Sequence, residues 1–197
     1  LIGWDEILEG GLAPEATVMS WRGESGGIKS ARMGHDVVMT PGNYMYFDFY
    51  QADPKTQPYA IGGYTPIKKV YSYNPIPVDS LTAEESKHIM GVQANTWTEY
   101  IPNEQHLEYM MFPRALALAE IAWSPQEKRE WNDFKPRMNA HISKLQQMGI
   151  NTFTLSDELE VTMKVDTVSK QIEVYLDAEK YPAEIRYTTD GTVPTAS

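Results

Sequence analysis

The sequence predicts an α/β fold built on parallel strands, followed by the beginning of a small all-β domain. Three observations carry that expectation. The first hundred residues repeat a short, continuously apolar run four times, each run closing on an aromatic residue with acids or glycines close behind. Continuous rather than alternating apolarity marks strands covered on both faces, the usual setting of parallel strands. From Asn103 to Gly149 the apolar period lengthens to that of helices, and beyond Gly149 it shortens to the alternation of half-exposed antiparallel strands.

The expected strands are Leu1–Trp4, Thr17–Trp21, Asp36–Thr40 leading to Tyr46-Phe47-Asp48, and Ile89–Gln93 leading to Trp97-Thr98-Glu99. Helical crossovers are expected near Glu6 to Glu9, from Glu24 to Met33, and from Leu81 to about His88, where Thr82 and Glu85 have the spacing of a capping box. The segment from Asp53 to Asp79 breaks the pattern with Pro54, Pro58, Pro66, Pro75 and Pro77 and many tyrosines. It reads as a long binding loop or lid, in which Tyr64, Tyr71 and Tyr73 either wall a site or pack the loop onto the domain.

From Asn103, residues Leu107, Met111, Ala115, Leu118 and Ala122 share one helix face, and Pro113 predicts a kink in it. A second helix is expected from about Lys128 to Met148, with Trp131, Phe134, Met138, Ile142 and Leu145 on one face and Gly149 as its stop. These two helices form the outer layer of the α/β domain. A β-module begins near Leu155. Its strands are expected at Glu160–Val165 and Gln171–Leu176, with a third in Glu184–Thr192, where Asp190-Gly191 signals a turn.

Composition narrows the partners. With Lys+Arg 17 against Asp+Glu 27 and a net charge of -10, the chain is poorly suited to nucleic acid or to an anionic membrane, both of which attract basic surfaces. The absence of cysteine excludes a disulfide scaffold and a Cys-ligated metal. His35, His88, His106 and His141 lack i, i+4 spacing, and Gly23, Gly26 and Gly27 lack the Gly-Lys-Ser/Thr ending of a P-loop, so neither a metal nor a cofactor is expected. No apolar run is long enough for a membrane span. The chain starts in mid-strand without Met or the basic start of a signal peptide, and it reads as a piece of a longer protein.

In a (β/α) barrel the residues that close the strands converge on one face. Trp4, Asp5, Glu6, Trp21, Tyr46, Asp48, Trp97 and Glu99 are therefore expected neighbours. Three tryptophans and several carboxylates in such positions suit a sugar, because the C–H faces of a pyranose pack on indole while its hydroxyls need acceptors. A lone tryptophan is more often a large core residue. Three at equivalent positions favour a site. Asp5 and Glu6, directly before a helix, read most simply as caps.

Gly3-Trp4-Asp5-Glu6-Ile7, Val18-Met19-Ser20-Trp21-Arg22-Gly23, Tyr46-Phe47-Asp48 and Gly91-Val92-Gln93-Ala94-Asn95-Thr96-Trp97-Thr98-Glu99-Tyr100 resemble the successive strand-end motifs of the family 20 glycoside hydrolases, the β-N-acetylhexosaminidases. Tyr109–Arg114 and Ala119–Ser124 are similar to that family's last barrel helix, and Tyr187–Thr192 with Pro194-Thr195 resembles the β-module appended to bacterial members. The resemblance implies that residues 1–150 are the second half, strands five to eight, of a TIM (β/α)8 barrel, and that residues 151–197 start a truncated β-sandwich-like module.

It also implies substrate-assisted, retaining hydrolysis of terminal N-acetylhexosamine from glycans or chitooligosaccharides. In that chemistry Tyr46 is the catalytic residue, donating a hydrogen bond to the acetamido oxygen. Trp4, Trp21 and Trp97 wall the N-acetyl pocket and the sugar face, and Asp48 and Glu99 bind ring hydroxyls. The family's His-x-Gly-Gly-Asp-Glu stretch, which holds the general acid, does not occur here, nor does its sugar-gripping arginine; Arg22 and Arg114 do not match it. The isolated chain is thus expected to be inactive and to self-associate or pair with the missing half-barrel. The alternative is a non-catalytic N-acetylhexosamine-binding protein. A cysteine-free chain of this kind suits a periplasmic, extracellular or cell-surface bacterial parent.

Overall fold

The structure is a computed structural model that describes residues 1–157 and 159–195; Glu158, Ala196 and Ser197, which fall within the expected β-module, lie outside the described residues. Strands β1 (Ile2–Trp4), β2 (Thr17–Ser20), β3 (Val37–Met39) and β4 (Ile89–Val92) form one sheet in the order β1-β2-β3-β4. Every neighbouring pair is parallel. Gly3 lies opposite Val18 and Val18 opposite Val37, while the β3–β4 register shifts between Val37 and Val38. The buried Val18, Val37 and Met39 account for the continuous apolarity that marked these strands.

Each strand is followed by a helical connection. A 3₁₀ turn at Asp5–Glu9 leads from β1 to β2, and α1 (Ser25–Arg32) leads from β2 to β3. Close approach of α1 to the sheet requires a glycine, since a Cβ on Gly27 would lie 2.6 Å from the Met39 sulfur and 3.1 Å from Val37 Cγ1. The long β3–β4 connection contains α2 (Gly42–Met45), α3 (Ile67–Ser72) and a 3₁₀ turn at Glu85–His88. The capping box forms around that turn: the Thr82 amide donates to Glu85 Oε2 at 2.8 Å, and the Glu85 amide donates to Thr82 Oγ1 at 3.3 Å.

The Pro-rich segment is less of a loop than its prolines suggest. Ile67, Val70 and Tyr71 recur at helical spacing and bury one face of α3. Tyr71 stacks on Phe134 with ring centroids 4.6 Å apart, and Tyr73 stacks on Tyr44 at 4.8 Å. Both tyrosines are buried core residues rather than walls of a site, and of the three only Tyr64 stays exposed.

After β4 come α4 (Glu104–Met111), α5 (Arg114–Trp123) and α6 (Trp131–Gln147). Asn103 starts α4 by accepting from the His106 amide at 2.9 Å. The kink expected at Pro113 is a complete break into two helices, consistent with a residue that has no N–H to continue the ladder. Ala117 and Ile121 from α5, and Phe134, Met138 and Ile142 from α6, pack with Val37, Met39, Phe47, Ile67, Val70 and Tyr71 into one core between sheet and helices.

Strands β5 (Leu159–Asp166) and β6 (Gln171–Ala178) pair antiparallel over their whole length, from Leu159 opposite Ala178 to Asp166 opposite Gln171. Their alternation predicts one covered face, but Val161, Met163, Val165, Ile172 and Val174 are all exposed. Glu184–Thr192 forms no third strand. Asp190 instead closes a turn by accepting from the Thr192 amide at 3.0 Å. The hairpin is tied to the helical layer by Asp177, which accepts from Lys68 Nζ at 2.7 Å, Lys135 Nζ at 2.8 Å and Trp131 Nε1 at 3.1 Å. Burial pushes this carboxyl up, but the two ammonium groups outweigh it and hold its pKa at about 2.

Candidate functional site at the carboxyl ends of the strands

The rings that close the strands form a contiguous wall. Trp4, at the end of β1, lies 5.9 Å from Trp97, which follows β4, and Trp97 lies 6.4 Å from Tyr46. Tyr46 in turn stacks against Trp21 at 6.3 Å with an interplanar angle of 16°. The Tyr46 backbone is fixed on both sides by Asn95, just beyond β4, since the Asn95 amide donates to the Met45 carbonyl at 2.8 Å and the Phe47 amide donates to the Asn95 carbonyl at 2.7 Å. Asn95 Nδ2 donates to Thr40 Oγ1 at 2.6 Å, fastening that crossing to the end of β3.

Tyr46, Asp48, Trp97 and Glu99 line one open cavity of about 500 Å³, together with Phe49 and the loop residues Ile61, Gly62 and Gly63. Gly63 has φ +64°, and a Cβ there would meet the Phe49 ring at 2.2 Å, so the loop reaches the cavity only with glycine at this position. Trp21 stands behind Tyr46, and Trp4 beside Trp97. Burial raises the Tyr46 phenol above its ordinary value, keeping it a neutral O–H donor at physiological pH. Burial also raises the Asp48 carboxyl, while the Trp97 backbone amide and the Arg114 charge act against it. Asp48 Oδ1 is buried and has no hydrogen-bond partner among the described residues.

Asp5 and Glu6 are braces rather than simple helix caps. The buried Asp5 accepts from the Trp21 amide at 3.1 Å, the Arg22 amide at 3.2 Å and Arg22 Nε at 2.6 Å, and both Glu6 oxygens lie 3.0 Å from Trp21 Nε1. Together they fix the end of β2 and the plane of the Trp21 ring. Asp5→Ala leaves two backbone amides without acceptors and is expected to lower unfolding stability by about 1–3 kcal/mol. Thermal melts of the two proteins check this, and coincident curves would contradict the brace.

Among the described residues no group of three or more His, Asp or Glu side chains is placed to hold a metal ion, and no helix is long and apolar enough to cross a membrane. The chemistry on offer is that of a neutral phenol donor, indole faces and carboxylate acceptors. Ile61, Gly62 and Gly63 were missed by sequence reasoning, although the Pro- and Tyr-rich segment that carries them stood out.

A parallel sheet crossed by helices, with aromatic rings and carboxylates gathered at the strand ends, defines a TIM-barrel-like α/β protein with a candidate site on the carboxyl face of the sheet. The family model for the glycosyl hydrolase family 20 catalytic domain matches residues 1–126. The chain belongs to glycosyl hydrolase family 20. It is 45% identical over 197 residues to a β-hexosaminidase of Porphyromonas gingivalis, covering 99% of this chain and 25% of that protein. A β-hexosaminidase of Vibrio furnissii is 33% identical over 121 residues, covering 60% of this chain and 20% of the relative. The solved structure of the family 20 exo-β-N-acetylglucosaminidase of Vibrio harveyi in complex with N-acetylglucosamine superposes with a TM-score of 0.70 at 31% identity, covering 78% of this chain and 24% of that one. The chain thus spans about a fifth to a quarter of the length of these relatives.

Proposed function

We propose that this chain supplies strands five to eight of the (β/α)8 barrel of a β-N-acetylhexosaminidase, residues 1–150, and the start of a β-sandwich-like accessory module, residues 151–197. The observation that carries the reading is Tyr46, a neutral donor clasped between Trp21 and Trp97 on a cavity it shares with Asp48 and Glu99. A terminal N-acetylhexosamine of a glycan or chitooligosaccharide fits this chemistry. Its acetamide methyl takes an apolar cage of indoles, and its ring hydroxyls donate to Asp48 and Glu99, at about 1.5–3 kcal/mol per charge-assisted bond.

In the reaction the substrate's acetamido oxygen attacks the anomeric carbon as the glycosidic C–O bond breaks, and the leaving oxygen takes its proton from a general acid on the other half of the barrel. Water then opens the cyclic intermediate, and the anomeric configuration is retained. Tyr46 holds the attacking oxygen on its trajectory by donating to it, a contribution of orientation that depends on the ring being immobile. β1 and β4 each pair on one side only, so each offers an edge for the missing half-barrel or for a second copy. The lack of cysteine suits a periplasmic, extracellular or cell-surface parent.

A chromogenic N-acetylglucosaminide tests the reading. The chain alone is expected to give no turnover above background, and mixing it with a first-half fragment carrying the Asp-Glu pair is expected to restore hydrolysis. Turnover by the chain alone would overturn the assignment of the acid to the other half. The second reading is a non-catalytic N-acetylhexosamine binder, favoured by the presence of the whole aromatic wall within this chain. Millimolar N-acetylglucosamine that quenches tryptophan fluorescence, combined with failure of complementation, would select it.

A further inference from the structure

Arg114 opens α5 and is completely buried, yet among the described residues no carboxylate is hydrogen-bonded to it. All five of its N–H donors are engaged by backbone carbonyls. Nε and Nη2 donate to the Met110 carbonyl, Nη1 to the carbonyls of Phe49 at 3.0 Å and Thr65 at 3.1 Å, and Nη2 also to the carbonyl of Phe47. The Phe47 ring lies against the guanidinium, 4.8 Å from its carbon. An arginine with every donor engaged has nothing left with which to grip a sugar.

Its partners are informative. Phe47 and Phe49 flank Asp48, and Thr65 follows the loop that brings Ile61, Gly62 and Gly63 to the cavity. One planar fork therefore ties together the two chain segments that form one wall of the site, a geometry that the point charge of a lysine cannot reproduce. Its charge is also among the influences that favour the ionised form of Asp48. We infer that Arg114 is a positioning residue that acts on the substrate through Asp48, fixing the carboxylate that receives a ring hydroxyl. The inference rests on the reading of Asp48 as a substrate ligand.

A double-mutant cycle in the full-length enzyme tests it. Asp48→Asn alone is expected to raise KM about ten- to hundredfold, the loss of one charge-assisted bond. Arg114→Lys is expected to raise KM comparably with a smaller change in kcat, and Arg114→Lys with Asp48→Asn to be no worse than Asp48→Asn alone. Arg114→Gln is expected in addition to shift the acid limb of kcat/KM to higher pH, because Asp48 then loses a nearby positive charge. Additive KM effects with an unmoved acid limb would reduce Arg114 to a core residue and overturn the inference. Where the Arg114 variants do not fold, Phe47→Leu, which removes the ring beside the guanidinium and keeps the carbonyl bonds, takes their place in the cycle and is expected to couple to Asp48 in the same sense; additivity there overturns the inference equally. An Asp48→Asn enzyme with unchanged KM would sink the substrate-ligand reading and this inference with it, whereas a normal Asp48→Asn loss with additivity would sink the positioning role alone.

Discussion

Tyr46→Phe in the complete enzyme is expected to lower kcat by about 10²-fold, the size of effect that a misplaced reacting group has on a reaction that depends on orientation, while KM changes little. The hydroxyl is the only group the substitution removes. The ring keeps its place between Trp21 at 6.3 Å and Trp97 at 6.4 Å, and the backbone keeps its two bonds to Asn95. Because burial raises the phenol pKa, the hydroxyl is protonated throughout the neutral range, and the loss should not vary with pH there. Steady-state kinetics on a chromogenic N-acetylglucosaminide at several pH values make the measurement. A variant with wild-type kcat and raised KM would mean that Tyr46 binds ground state and transition state alike and does not steer the attack.

The parts of this site that were legible in the sequence are those written as strand endings. Trp4, Trp21 and Trp97 each close an apolar run, and in parallel strands such positions share one end of the sheet, so their meeting follows from topology alone. The braces were not legible. Asp5 and Glu6 sit beside a helical turn and have the local look of caps, while their actual partners on Trp21 and Arg22 are 15 to 17 residues away and depend on the β1–β2 register. Tyr71 and Tyr73 stayed open between walling a site and packing the segment for a related reason. Their prolines advertise a loop, but Ile67, Val70 and Tyr71 have enough helical spacing to dock against α6, and tertiary burial outweighs the breakers at either end. In the sequence Arg114 stands out only as an arginine that does not match the family's sugar-gripping one, and the fold alone reveals the ring of carbonyls that accepts from it.

Phe134→Ala is expected to lower the unfolding free energy by about 3–5 kcal/mol. The ring is 3% exposed, stacks on Tyr71 at 4.6 Å and lies 5.8 Å from Trp131, so its removal opens a cavity where α6 meets α3. Domains of this size are stable by about 5–15 kcal/mol, so this one ring accounts for a substantial share. Trp123 makes the contrast. It ends α5 as a larger apolar residue, but it is 88% exposed, and Trp123→Ala is expected to change stability by no more than about 0.5 kcal/mol. Urea unfolding of both variants decides between burial and mere hydrophobicity as the source of stability. Equal losses would mean that α6 does not pack on α3. Unequal losses would have a consequence at the site, because α3 starts two residues after Thr65, whose carbonyl the Arg114 fork holds. A Phe134→Ala enzyme should therefore lose substrate affinity at denaturant concentrations well below its unfolding midpoint, as α3 and the loop before it loosen ahead of the sheet.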